Sequence, residues 1–217
     1  MKQTKIIIFL IIILSFAVAF YFYPQMPERA ASHWNEKGQV NGYISKFWAS
    51  FLMPIISLLV ALLFLLIPKI DPFKENIKKF KGYFDGFIIV LLLFLLYIYL
   101  LTVFWNLGFK FSMNYFMIPS LAVLLYYAGI LVEKAKRNWF IGIRTPWTLT
   151  NEMVWDKTHK IGGKLFKASA VIALFGMLFI EYAFYFVMIP IILFVVFVFW
   201  YSYSEYQKEI AKNNNIK

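Results

Sequence analysis

Residues 165–203 read LFKASAVIALFGMLFIEYAFYFVMIPIILFVVFVFWYSY, with charge only at Lys167 and Glu181. As one helix this stretch would extend about 60 Å at 1.5 Å per residue. That is twice the roughly 30 Å of hydrocarbon in a bilayer. Two membrane spans joined by a very tight turn at Glu181–Tyr182 fit, with Pro190 inside the second. The fold class follows from this stretch and from four more like it.

Working outward, apolar runs recur at 6–23, 47–67, 83–105 and 115–132. The chain has 217 residues, 62% hydrophobic and 15% charged, against roughly 45–50% and about 25% for a soluble domain. The pattern predicts an all-α, polytopic membrane helical bundle of six transmembrane helices. The first run follows Lys2 and Lys5 and contains Ala17-Val18-Ala19, as a signal peptide would. It continues through Phe20–Tyr23, long enough to span, and reads as a retained helix. The absence of cysteine excludes disulfides, thiol nucleophiles and thiolate metal sites.

The net charge of +11 raises the question of nucleic acid, but its distribution answers it. With the amino terminus inside, 18 of the 22 Lys and Arg residues, Lys217 among them, fall on inner segments. Only Arg29, Lys37, Lys46 and Lys110 are outside. This is the positive-inside bias of a multi-pass cell membrane protein with both termini cytoplasmic, and it needs no direct nucleic-acid partner. The expected organisation is a two-helix unit, 1–67, with an outer loop at 24–46. A four-helix unit, 68–217, follows, with a cytoplasmic motif loop at 133–164.

The outer loop contains Trp34-Asn35-Glu36-Lys37-Gly38-Gln39-Val40-Asn41-Gly42-Tyr43. Gly38 and Asn41-Gly42 are turn signals, predicting a compact hairpin-like or omega turn. Trp34 and Tyr43 suit the headgroup interface. This cap either contacts something outside or seals the bundle.

The inner loop, 138–164, is over twenty residues long where four would connect two spans, and long loops in compact folds are more often functional than idle. Trp139, Phe140, Ile141 and Ile143 around Gly142 predict a segment lying in the interface. Arg144-Thr145-Pro146 breaks it. Thr150 or Asn151 can cap a short helix over 152–160, ended by Gly162-Gly163. On that helix Glu152, Trp155, Asp156 and His159 share one face, and Asp156 can pair with Lys160. As chemistry, Arg144 beside an acid–His face suits an anionic or peptide group. As structure, the segment is an amphipathic helix anchored by Trp147 and Trp155, with Arg144 paired to Glu152 or to lipid phosphate. No nucleophile–base–orienter set is present. His33 and His159, the only histidines, lie three helices apart and so on opposite sides of the membrane, which excludes a shared metal site. Neither sits in a metal-helix motif, so no metal and no cofactor is expected.

The outer PERAASHWNEKGQVNGYISKF and the inner NWFIGIRTPWTLTNEMVWDKTHKIGGKLF, with six spans, resemble the SdpI-type immunity protein family. The resemblance implies a non-enzymatic membrane protein that protects its producer from a secreted antimicrobial peptide toxin. It also implies a signalling role, holding a cytoplasmic repressor at the membrane. On this reading the outer contact residues are His33, Trp34, Asn35, Gly38, Gly42 and Tyr43. The inner ones are Arg144, Thr145, Pro146, Trp147, Glu152, Trp155, Asp156, His159, Gly162 and Gly163. Partners would be membrane lipid, an extracellular peptide and a cytoplasmic repressor. The residues alone leave two alternatives open: a receptor without immunity, and a membrane enzyme or small-molecule binder using the inner motif. A transporter would need polar groups at midplane depth, and the spans offer almost none.

Overall fold

The computed structural model describes residues 2–214, so Lys217 of the charge reading lies outside the described residues. Six long helices carry the bundle: α1 (Lys2–Phe22), α2 (Lys46–Ile70), α4 (Lys81–Asn106), α5 (Met113–Lys134), α7 (Glu152–Phe175) and α8 (Ala183–Asn214). Two short ones, α3 (Lys74–Lys79) and α6 (Pro146–Thr150), lie in the connections at the lysine-rich end. At the other end the outer segment forms a hairpin of β1 (Arg29–Trp34) and β2 (Val40–Ser45), antiparallel with His33 opposite Gly42. The fold is thus an all-α membrane bundle carrying one small sheet.

α1, α2 and α4 pack together around one stripe of α4, formed by Phe84, Ile88, Leu92, Leu96, Tyr99 and Val103. These residues recur every three or four positions, so they share one helix face. Ile8, Ile11, Ile12 and Ala19 of α1 join them in the core. Tyr99 solves its polarity by donating its hydroxyl to the Ser50 carbonyl of α2 at 2.8 Å.

α5, α7 and α8 form the second set, joined to the first mainly through α4 against α5. α5 and α7 approach backbone to backbone: a Cβ on Gly163 would stand 2.6 Å from the Gly129 oxygen. Ala122, Ala170 and Ala173 continue this small-residue seam, the kind of contact that lets membrane helices pack by van der Waals attraction alone.

Two local expectations are corrected. Gly162-Gly163 does not end a helix at 160; α7 runs unbroken from Glu152 to Phe175. In a close helix pair the absent side chain is an asset that outweighs glycine's poor helix propensity. The joint between the last two spans is also longer than a two-residue turn. It is a 3-10 segment, Gly176–Tyr182, kinked at Phe179 (φ −132°, ψ 63°).

Candidate functional site

The inner motif is built from the backbone of residues 135–145 folded against the first turns of α7. Asn138, fully buried, organises the start. Its Oδ1 accepts the N–H groups of Phe140 (2.9 Å) and Ile141 (2.6 Å), and its Nδ2 donates to the carbonyls of Lys136 and Ile141. Asp71, equally buried, receives the Phe73 and Trp139 N–H groups on its two oxygens and so ties the end of α2 to the motif. Thr145 and Thr148 form a reciprocal cap on α6, and the Thr148 hydroxyl donates to the Ile143 carbonyl. Asn151 caps α7 by accepting the Val154 N–H at 3.1 Å.

Trp155 and His159 lie at the centre. Both are buried, with rings stacked at 3.8 Å between centroids and 15° between planes. Trp155 Nε1–H donates to the Ala135 carbonyl at 2.9 Å. The Ile143 N–H donates to His159 Nε2 at 3.0 Å. Since Nε2 accepts, the proton sits on Nδ1, which donates to the Trp155 carbonyl at 2.8 Å. The imidazole is therefore neutral, with both nitrogens committed to backbone. Gly142 lies across the ring with φ +112°, where a Cβ would stand 2.3 Å from Nε2. His159 has no free nitrogen for a metal or for proton transfer.

The shared face of Glu152, Trp155, Asp156 and His159 divides accordingly. Trp155 and His159 point inward, whereas Glu152 and Asp156 are exposed. Asp156 pairs with Lys136 (3.1 Å) rather than with Lys160. Arg144 is exposed and donates from Nη1 to the Trp139 carbonyl at 2.7 Å, and among the described residues it has no ion pair with Glu152. Pro146 is exposed at the start of α6, and Trp147 packs between Phe199 and Tyr203 of α8. Gly162 and Gly163 are buried in α7, the first against Ile143 and the second against α5. Lys157 reaches across to Glu205 and Glu209 of α8, and Lys167 to Glu133 of α5.

The outer group is arranged differently. His33 and Tyr43 are exposed; His33 faces Asn41 and Gly42. Asn35 Oδ1 accepts the N–H groups of Lys37 and Gln39, closing the turn that holds Gly38 (φ +74°). Trp34 meets Trp105 of α4 edge to face rather than lying free at the interface. Sequence reasoning missed the residues that dock this hairpin. Asn106, at the end of α4, accepts the Ala31 N–H at 2.8 Å and donates to the Ala31 carbonyl at 2.9 Å. Asn114, in the first turn of α5, donates to the Glu36 carbonyl. An Asn directly after an aromatic span and shortly before Gly108 is a helix-end signal, but its reach to a distant strand is not visible in sequence. Asp71, before Pro72, reads only as a turn initiator.

Residues 134–204 match the SdpI/YfhL protein family, and residues 10–58 match a domain of unknown function, DUF1648. The chain is 27% identical over 208 residues to the immunity protein SdpI of Bacillus subtilis (strain 168), covering 95% of this chain and 97% of that protein. No solved structure gives a significant match.

Proposed function

We propose that this multi-pass membrane protein, whose residues 134–204 match the SdpI/YfhL protein family, is an immunity protein protecting the cell from a secreted antimicrobial peptide. It acts by binding rather than by catalysis. The likeness to an immunity protein along nearly the whole of both chains carries this reading. The outer hairpin suits the encounter. Asn106 occupies both backbone groups of Ala31 on the outer edge of β1, so an extended peptide would add along β2, beside Tyr43. His33, Asn35, Gly38, Gly42 and Tyr43 are the contact set, with Trp34 as the anchor beneath.

A signalling role would use the opposite end. The motif side chains left exposed there, Arg144, Pro146, Glu152 and Asp156, are those available to a cytoplasmic repressor; Thr145, Trp155, His159, Gly162 and Gly163 act by holding that surface in shape.

Expression in a peptide-sensitive strain tests immunity: survival rises with membrane-inserted protein and falls again in Tyr43→Ala. Unchanged killing, with the protein confirmed in the membrane, removes the reading for that peptide. For signalling, a repressor encoded beside the gene should be retained by membranes carrying the protein and released by Glu152→Lys with Asp156→Lys.

A further inference from the structure

Between the two three-helix sets lies a cavity of about 400 Å³, within the range of small-molecule sites. Phe64 of α2 and Phe87 of α4 face it from one set, Leu131 of α5, Phe166 of α7 and Val198 of α8 from the other. The segment 140–145 closes its lysine-rich end, and Arg144 is the one charged residue in its lining. We propose that this groove holds an anionic glycerophospholipid, with one acyl chain between the helix sets and the phosphate on Arg144.

Three observations select this occupant. Water is a poor filler, because an ordered water needs two to four polar partners and the lining is phenylalanine and aliphatic over nearly its whole length. An empty groove would forfeit dispersion contacts along its wall, and in a multi-pass protein the medium at its flank is hydrocarbon. At the polar end, Lys81, Lys136, Lys157 and Lys167 each have a carboxylate, and Lys134, Arg137, Lys160 and Lys164, which have none among the described residues, do not line the groove. Arg144 has none among the described residues, and its single protein bond uses one Nη1 donor. A guanidinium fork with donors to spare matches a phosphate diester. Trp139 and Phe140, exposed beside it, belong to the headgroup level. Basic pockets between membrane helices bind anionic headgroups in this way. The inference is independent of immunity, since it needs only the membrane bundle, and it takes Arg144 out of the surface open to a cytoplasmic partner, leaving Pro146, Glu152 and Asp156 there.

Native mass spectrometry of delipidated protein, titrated with phosphatidylglycerol and phosphatidylcholine of the same chains, tests it. The expected result is one lipid bound, phosphatidylglycerol about tenfold tighter, with that preference abolished in Arg144→Gln. Val195 lines the groove yet is 57% exposed, so Val195→Trp blocks the groove without entering the packed core and should weaken both lipids. Melting temperatures confirm that both variants are folded. Equal affinity for the two lipids, or a preference unchanged in Arg144→Gln, overturns the headgroup assignment. Undiminished binding in Val195→Trp overturns the groove, and a tightly held apolar peptide in place of lipid overturns the occupant.

Discussion

The two ends of this molecule carry equally conspicuous sequence and use it in opposite ways. At the lysine-rich end, half of the ten motif residues face inward: Trp155 and His159 stack in the core, Thr145 is buried, and Gly162 and Gly163, like Gly142, sit where a side chain would collide. At the hairpin end, His33 and Tyr43 face outward, on a small sheet held to the bundle by Asn106, Asn114 and the Trp34–Trp105 contact. A memorable motif is therefore no guide to whether its residues touch a partner. Burial decides it.

Substitutions at the two ends should separate on that basis. The largest effect is expected from Trp155→Ala, which empties a fully buried site and leaves the Ala135 carbonyl without its donor. A loss of about 3–5 kcal/mol is expected, seen as a collapse of thermal stability in detergent. Survival of the wild-type melting temperature would break the view of this motif as core. Gly142→Ala comes next: at φ +112° with His159 behind it, backbone strain and overpacking each cost about 1–3 kcal/mol, and stability should fall in the same assay. Asn106→Ala sharpens the other side. It unpairs both backbone groups of Ala31, at about 1–3 kcal/mol per group left unsatisfied. Faster hydrogen exchange across 29–45 should follow, with helix exchange unchanged. The smallest effect belongs to Asp156→Asn. Its pair with Lys136 is exposed, such pairs contribute about 0–1 kcal/mol, and the melting temperature should barely move.

Much of this layout was legible in the chain. Five apolar stretches, one long enough for two spans, forced a helical membrane bundle, because an unsatisfied backbone in hydrocarbon is too costly for open alternatives. Gly38 announced the hairpin turn, since few residues accept its backbone angles (φ +74°), whereas Asn41-Gly42, expected as a second turn signal, lies inside β2 with Gly42 paired opposite His33. The family likeness was carried by two quotable segments. The roles of the inner residues were not legible. Glu152, Trp155, Asp156 and His159 share a helix face by spacing, yet spacing cannot tell which half of a face meets protein. Gly162-Gly163 reads as a helix end by local propensity, and becomes a helix interior only when α5 arrives with Gly129.

By itself, then, the sequence determined the solvent each segment requires: hydrocarbon for the spans, an interface or water for residues 24–46 and 133–164. These are properties of single segments, set by transfer free energy and turn chemistry. Only the tertiary structure decided that His159 is neutral with both nitrogens taken, that Asn106 fastens a strand seventy-five residues away, and that Arg144 ends beside an apolar groove between two helix sets. Each of those depends on groups distant in sequence meeting at hydrogen-bonding or van der Waals distance, which no local pattern encodes.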